Sequence, residues 1–303
     1  MAASVAARLL SWSRAQAEDY QFVLARYAVE RLIWRLGRSQ YSDAFVLKGA
    51  MMFLIWTGEI YRPTKDLDLL ARVSHTAARL ESVFEEICNL PVDDDGITFL
   101  AESIEAQQIR EDQAYGGIRL TMTALIGKIR IPVQIDIGFG DAVTPEATES
   151  HFPALLQESE SPLVLAYPRE TSIAEKLEAI VSLGMANSRM KDYYDIYILL
   201  QRFSFDGRVL SAAVHATFTR RHTEFPSNLP VGLSDEFASD SSKLTQWNAF
   251  RKRQGFKLQP PELPEVVREL RGFLLPPLKA AATGTTISSR WDDSGRWVDG
   301  KST

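Results

Sequence analysis

The sequence predicts an α+β fold, in which a mixed sheet with flanking helices is followed by a mainly helical domain. Three observations support this prediction. Apolar residues recur at helical spacing over the first forty positions, segments between 66 and 137 alternate as strands do, and helical spacing returns after about 170. The 303 residues are enough for one large domain or two modest ones. We expect two domains, 1–165 and 166–303.

The N-terminal segment 4–38 contains no proline, and its apolar residues have helical spacing, so we predict one long helix. Arg26, Arg31, Arg35 and Arg38 fall on its other faces. Two interpretations remain open for these arginines: a solvated helix face or a contact with nucleic acid.

The following segments change between helix and strand. Residues 50–57 follow Gly49 and are predicted to form a buried helix that ends at Gly58. Alternation predicts a strand over 66–71, and apolar spacing predicts an amphipathic helix over 75–89.

Two further strands are predicted over 119–123 and 129–137, paired through a turn near Gly127. Residues 162–168 are expected to form a short link. Ser172 to Glu175 has the spacing of a capping box, so a helix is expected from there to about residue 183.

Another helix is predicted over 190–203, and the remainder is expected to be mostly helical, with prolines through 260–277. The last twenty residues are rich in Thr, Ser and Gly but contain two tryptophans. We assign no role to the tail over 280–303.

Composition excludes several classes of protein. The 34 Lys and Arg stand against 39 Asp and Glu, a net charge of −5, which excludes a generic basic nucleic-acid coat but permits a local RNA-binding patch. The single cysteine, Cys88, excludes an intramolecular disulfide and a cysteine-based zinc cluster. The histidines lack the spacing of a metal site; they are His75, His151, His215 and His222.

No apolar run is long enough to cross a membrane. Charged residues such as Arg8 and Arg14 interrupt the N-terminal segment, where a signal peptide would need an apolar core. We therefore expect a cytoplasmic location and no membrane partner.

Candidate chemistry begins with two aspartates of the strand predicted over 66–71. Residues two apart on a strand point to the same side, so Asp66 and Asp68 are expected about 6–7 Å apart, with Leu67 and Leu69 facing the core. Two such carboxylates repel unless a cation lies between them, and Mg²⁺ prefers oxygen ligands. The alternative is a solvated strand face, because the Asp-x-Asp pattern alone is a weak signal.

Gly49 and Asp136 strengthen the metal interpretation. A helix that begins at a glycine offers its first N–H groups to a phosphate, so an anion site and a cation site would fall within one short unit. Asp136 stands among apolar residues of a predicted strand and would complete a site for two metal ions. For Asp136 the alternative is a strand with one wet face.

Five segments carry a resemblance to a known family: Phe45–Ala50, Arg62–Leu70, Pro132–Asp136, Thr171–Ala179 and Arg189–Ile196. Together they resemble the nucleotidyltransferase fold of the polymerase-beta superfamily and, more narrowly, the AbiEii/AbiGii family of nucleotidyltransferase toxins. The glycine and Asp-x-Asp motifs are common to the superfamily. The Glu-Lys-Leu-x-Ala and Lys-Asp-x-x-Asp motifs are specific to the family.

The resemblance implies that Lys48, Gly49 and Ala50 hold the nucleotide phosphates. Ala50 departs from the family, which often has glycine or serine there, so a serine hydroxyl for the phosphate is missing. We expect a weaker grip on the phosphates rather than a loss of activity, because the backbone N–H donors remain.

The resemblance also implies that Asp66, Asp68 and Asp136 bind Mg²⁺, that Lys176 contacts the triphosphate, and that Asp195 is the acid of the final motif. Asp136 or Asp195 would accept the proton of the attacking hydroxyl.

Simpler interpretations of the last two motifs remain open. Lys176 could be a surface lysine paired with Glu175 or Glu178 near the start of its helix. Asp192 and Asp195, three residues apart on one helix face, could serve as plain salt bridges.

The resemblance implies an Mg²⁺-dependent enzyme that transfers NMP from an NTP to RNA, the tRNA 3′ end being the example. It also implies a toxin with a winged-helix antitoxin partner. Two alternatives remain: a small-molecule nucleotidyltransferase of the antibiotic-modifying kind, and a non-catalytic nucleotide-binding protein. The basic clusters 220–222 and 251–253 are either solvated faces or contacts to an RNA backbone.

Overall fold

A computed structural model describes residues 1–72, 76–109, 116–253 and 255–299. The chain divides into two compact units, one formed by residues 1–140 and 148–166 and the other by 141–147 and the residues from 167 onward. The α+β class, with a mixed sheet followed by a mainly helical region, is confirmed. The domains 1–165 and 166–303 stay predictions, because compactness does not show that either part folds alone.

The predicted N-terminal helix is in fact two helices, α1 (Ala2–Gln16) and α2 (Tyr20–Arg38). The chain breaks at Ala17, whose φ of 53° is left-handed. Asp19 then caps α2, because its carboxylate accepts hydrogen bonds from two backbone N–H groups of the first turn. Such a cap stabilises a new helix start by about 1 kcal/mol, which offsets part of the cost of the left-handed Ala17.

The arginines of α2 are mostly structural. Arg31 and Arg35 are 4% and 3% exposed. Arg35 holds the carboxylate of Asp95 through two hydrogen bonds of 2.8 and 3.1 Å, and Arg31 donates to the backbone carbonyl of Glu160 at 2.9 Å. Arg38 pairs with the Glu160 carboxylate. Both open interpretations, a solvated face and a nucleic-acid contact, are therefore wrong for Arg31 and Arg35.

Glu30 is a fully buried carboxylate of α2. It accepts a hydrogen bond from the backbone N–H of Leu155 at 2.7 Å, and Arg31 Nε lies 3.4 Å from its other oxygen. Burial raises the pKa of Glu30 to about 7, although Arg31 and the Leu155 N–H act in the opposite direction.

A seven-stranded mixed sheet forms the centre of the first unit. Its strands are β1 (Phe45–Lys48), β2 (Leu67–Ala71), β3 (Thr98–Ile109), β4 (Gly117–Ile126), β5 (Ile129–Phe139), β6 (Thr148–His151) and β7 (Leu163–Ala166). Their order across the sheet is β3-β4-β5-β2-β1-β7-β6. The β2–β5 and β1–β7 pairs are parallel, and the others are antiparallel.

The three predicted strands are confirmed as β2, β4 and β5, and β4 and β5 pair across the turn at Gly127. The link predicted over 162–168 is wrong, because β7 lies there and pairs with β1. β3 and β6 were not predicted. Both lie at the edges of the sheet, β6 is polar throughout, and half of the residues of β3 are polar without clear alternation.

The two remaining helices of the first unit follow the prediction. A short 3₁₀ turn, Gly49–Met51, leads into α3 (Met52–Thr57), which ends at Gly58 with a φ of 76°. The helix predicted over 75–89 is α4 (Ala77–Cys88). Its predicted first residue, His75, lies outside the described residues.

The second unit is mainly helical, as predicted. Its helices are α5 (Arg169–Leu183), α6 (Met190–Arg202), α7 (Gly207–Arg220), α8 (Asp235–Ser239), α9 (Ser241–Arg251) and α10 (Leu263–Thr283). The capping box predicted at Ser172 is wrong: α5 begins at Arg169, after Pro168, and Ser172 lies buried inside the helix.

The tryptophan-containing tail forms β9 (Ser289–Trp291) and β10 (Trp297–Asp299), which make a small sheet with β8 (Phe205–Asp206). The indole of Trp291 donates to the carbonyl of Leu200 at 2.9 Å, so the tail is part of the folded unit. In the described part of the chain, no helix has the length and hydropathy needed to cross a membrane.

Candidate functional site

Four charged residues lie in register across four neighbouring strands. Lys48 on β1 is opposite Asp68 on β2, Asp68 is beside Asp136 on β5, and Asp136 is opposite Arg119 on β4. We call these four residues the charged row. Neighbouring strands are about 4.8 Å apart, so the row extends over about 14 Å.

Asp66 immediately precedes β2, which begins at Leu67. Leu67 and Leu69 are fully buried, whereas Asp66 and Asp68 are partly exposed. The predicted alternation is therefore confirmed, and both carboxylates are accessible from the surface that the leucines avoid.

Gly49 lies directly against Asp68. Its φ is 74°, and a Cβ at this position would lie 1.9 Å from Asp68 Oδ2 and 2.6 Å from its Cγ. Residue 49 must therefore be glycine for two reasons, the left-handed backbone and the neighbouring carboxylate. The structure thus brings together the predicted phosphate-binding glycine and a predicted metal ligand.

Asp136 is held by Arg119 through two hydrogen bonds. Arg119 Nε donates to Asp136 Oδ1 and its second guanidinium nitrogen to Oδ2, both at 2.8 Å. This bonding raises the pKa of Arg119 despite partial desolvation, and the negative charges of Asp136, Asp66 and Asp68 raise it further. The positive charge of Arg119 therefore interacts with all three aspartates.

Sequence reasoning missed Arg119, although a signal for it existed. The two-residue turn Gly127–Lys128 places Ile126 opposite Ile129. Counting outward along the hairpin from that pair puts Arg119 opposite Asp136.

The donors around the charged row fit a divalent ion chemically. Asp66, Asp68 and Asp136 offer only carboxylate oxygens, the ligands that Mg²⁺ prefers, and all three are partly exposed. Among the described residues, no three or more His, Cys, Asp and Glu side chains are arranged to hold a metal ion. Arg119 engages both oxygens of Asp136, so this carboxylate is shared with a cation of the protein before any ion binds.

Lys176 lies in the middle of α5 and reaches two buried aspartates of α6. Its Nζ is 3.5 Å from Asp192 Oδ1 and 3.2 Å from Asp195 Oδ2. The two aspartates are 0% and 1% exposed and Lys176 is 13% exposed. Arg189 Nε also donates to Asp192 at 2.7 Å. The interpretation of Lys176 as a surface lysine near a helix start is therefore wrong, and the salt bridges proposed for the aspartates are confirmed.

Glu175 and Glu178 face a different cation, Arg221. The Arg221 guanidinium lies 3.7 Å from Glu175, 2.8 Å from Glu178 and 3.0 Å from Asp141. Burial lowers the pKa of Arg221, but the three carboxylates outweigh burial and raise it overall. Arg221 thus forms ion pairs within its own unit. The interpretation of Arg221 as an RNA contact in cluster 220–222 is therefore wrong.

The second basic cluster, 251–253, also contains one arginine that is bound within the protein. Arg251 donates to the backbone carbonyl of Pro260 at 2.9 Å and pairs with Glu262. Lys252 and Arg253 are exposed. Within this cluster, the RNA-contact interpretation therefore stays a prediction for Lys252 and Arg253, as it does for the exposed Arg220 of the first cluster.

Comparison with known proteins identifies the family. The model of the family "Nucleotidyl transferase AbiEii toxin, Type IV TA system" matches residues 31–269, which include the charged row and Lys176 with its two aspartates. No curated protein matches the chain.

Two solved structures from Helicobacter pylori are similar to the chain but remote. The first, of JHP933, has 14% identity and a TM-score of 0.48, and the match covers 88% of this chain and 94% of that one. The second, described as a candidate nucleotidyltransferase, has 15% identity and a TM-score of 0.46, with 88% and 96% covered. The family match covers most of the sequence and confirms the resemblance: the chain is a nucleotidyltransferase and belongs to the AbiEii family of type IV toxin–antitoxin systems.

Proposed function

We propose that the protein transfers NMP from an NTP to the end of an RNA in an Mg²⁺-dependent reaction in the cytoplasm, and that an antitoxin of the winged-helix type restrains it. The observation that carries this proposal is the contact between Gly49 and the Asp68 carboxylate. It brings a phosphate-binding backbone and an acidic site together at one end of the charged row.

The nucleotide phosphates would bind at the Gly49 end. The first N–H groups of a helical turn have no partner within the turn, so the 3₁₀ turn that begins at Gly49 can offer them to an anion. Lys48 is partly exposed beside this turn and adds positive charge. Lys176 as a contact of the triphosphate stays a prediction.

Asp66 and Asp68 would hold the divalent ions, with Asp136 as the third ligand. When bound, Mg²⁺ would polarise the α-phosphate and neutralise charge on the leaving pyrophosphate. The partial exposure of these carboxylates supports the assignment, because ions and nucleotide must reach them from solvent.

The acceptor hydroxyl attacks the α-phosphorus, a new O–P bond forms, and the bond to the pyrophosphate breaks. The hydroxyl proton passes to a carboxylate. Of the two candidates, Asp136 is 18% exposed, whereas Asp195 is 1% exposed and paired with Lys176. These exposures favour Asp136 as the proton acceptor.

The test compares Asp68→Asn with a matched control, Asp93→Asn, which changes an exposed aspartate outside the charged row. Each protein is incubated with labelled NTPs and either total RNA or aminoglycosides, with Mg²⁺ or with a chelator. Its NTP binding is measured by calorimetry, and its melting temperature is also measured. We expect Mg²⁺-dependent labelling of RNA by the wild type and the control. Asp68→Asn should lose about 100-fold or more in rate with its melting temperature preserved.

Other outcomes would support different conclusions. Full activity of Asp68→Asn would contradict the assigned site. Labelling of aminoglycosides in place of RNA would support the antibiotic-modifying alternative, and nucleotide binding without transfer would support the non-catalytic one. Co-purification with the product of an adjacent gene tests the antitoxin partner.

A further inference from the structure

The charged row has two unlike ends. Gly49 and Lys48 lie at one end, and Arg119 lies at the other, beyond Asp136. In nucleotidyl transfer the attacking and leaving oxygens are roughly in line on opposite sides of the phosphorus. If the pyrophosphate leaves at the Gly49 end, the acceptor hydroxyl approaches from the end that holds Arg119.

Arg119 is suited to a phosphate. Its guanidinium already makes two parallel hydrogen bonds to a carboxylate, and the same planar fork matches two oxygens of a phosphodiester. Arg119 is 37% exposed while Asp136 is 18% exposed, so the cation is the more accessible member of the pair.

We propose that Arg119 binds the last phosphodiester of the acceptor RNA, exchanging the Asp136 carboxylate for that phosphate. The exchange releases Asp136 to the attacking hydroxyl at the moment when an acceptor is in place. This inference rests on the proposed function and adds the residue that recognises the acceptor, a chain with a phosphodiester next to its terminal hydroxyl. Without such an acceptor, Arg119 keeps Asp136 occupied and disfavours transfer to water.

The test uses two RNA oligonucleotides that differ only in the last linkage, a phosphodiester in one and a neutral methylphosphonate in the other. They are compared on the wild type, on Arg119→Gln and on the matched control Arg130→Gln. Arg130 is an exposed arginine of β5, about 20 Å along the strand from Asp136, so its loss changes the net charge equally. The measurements are KM for RNA, KM for NTP, and RNA binding by fluorescence anisotropy without NTP.

For the wild type, the methylphosphonate should raise KM for RNA and the dissociation constant about tenfold or more, the effect of one charge-assisted bond. Arg119→Gln should bind both oligonucleotides equally, at the weakened level, with KM for NTP unchanged. Arg130→Gln should behave as the wild type. If Arg119→Gln does not fold, Arg119→Lys, which keeps the charge without the fork, should show a reduced but measurable preference for the phosphodiester.

Equal sensitivity of Arg119→Gln and wild type to the methylphosphonate would overturn the inference. So would a raised KM for NTP with an unchanged KM for RNA, because Arg119 would then serve the nucleotide. Transfer to RNA by the wild type, regardless of the Arg119 results, upholds the proposed function on its own. If the wild type transfers nothing to RNA, the proposed function fails and this inference with it.

Discussion

Replacing Lys176 with alanine removes the cation between two buried carboxylates. Asp192 and Asp195 are 0% and 1% exposed and lie 3.5 and 3.2 Å from Lys176 Nζ. Breaking a buried ion pair costs about 3–5 kcal/mol, because the remaining charge is uncompensated, whereas a surface pair contributes about 1 kcal/mol or less. Arg189 still holds Asp192, so we expect the lower end, a loss of about 3 kcal/mol.

Urea unfolding of the wild type, Lys176→Ala and Lys176→Arg measures this loss, and the arginine variant should lose much less because it keeps the charge. Adding Asp195→Asn to Lys176→Ala removes the buried carboxylate that lay 3.2 Å from the lysine and should restore about 1 kcal/mol or more. A loss below about 1 kcal/mol in Lys176→Ala would refute the reasoning from burial.

The same variants test the triphosphate contact, provided that the assay temperature lies well below the lowered melting temperature. If Lys176 touches the triphosphate, Lys176→Ala should raise KM for NTP or lower the rate about 10- to 150-fold. Lys176→Arg should change them far less. Unchanged kinetics in Lys176→Ala would leave this lysine a purely structural residue.

Three further predictions follow from the burial and contacts of single residues. Gly49→Ala forces a left-handed alanine, at a cost of about 1–2 kcal/mol, and displaces the Asp68 carboxylate. Nucleotide transfer, and the rise in melting temperature that Mg²⁺ is expected to give in the wild type, should both be lost, and an active variant would contradict the close contact. Burial raises the pKa of Glu30 from 4.5 to about 7, so the folded state binds the extra proton and the free energy of unfolding should fall by about 3 kcal/mol between pH 4.5 and 7. In urea titrations across that range, Glu30→Gln should remove this decline, and an unchanged profile would count against it. Charge reversal of Lys252 and Arg253 should weaken RNA binding without changing KM for NTP. The slope of the logarithm of the RNA-binding constant against the logarithm of the salt concentration should fall in magnitude by about 1–2. An unchanged slope would show that the two residues form a solvated face.

The fold class and the Gly49–Asp68 site could be predicted because their signals are local. A glycine before an apolar helix and two aspartates two residues apart are visible within a few positions of the chain. Arg119 was missed because its meaning depends on the register of a hairpin, and the role of Arg221 was missed because its carboxylate partners lie far away in sequence.

Errors in secondary structure have a similar origin. The break before α2 depends on one capping residue, Asp19, within a segment whose apolar spacing continues on both sides. The strand β7 is four residues long and lies between prolines, so its identity depends on pairing with β1 rather than on its own sequence. Buried arginines such as Arg35 resemble surface residues until the loop that supplies their partner is known.

The charged row also determines what kind of sequence change this family member can tolerate. Neighbouring side chains of a strand face opposite sides of the sheet. Inserting or deleting one residue within β1, β2, β4 or β5 would therefore point a residue of the charged row into the core and expose a leucine or isoleucine in its place. A change of two residues would restore the facing but displace the side chain along its strand by about 7 Å, out of line with the other three. Divergence at this site must therefore proceed by substitution, and changes in length are confined to the connections between the strands.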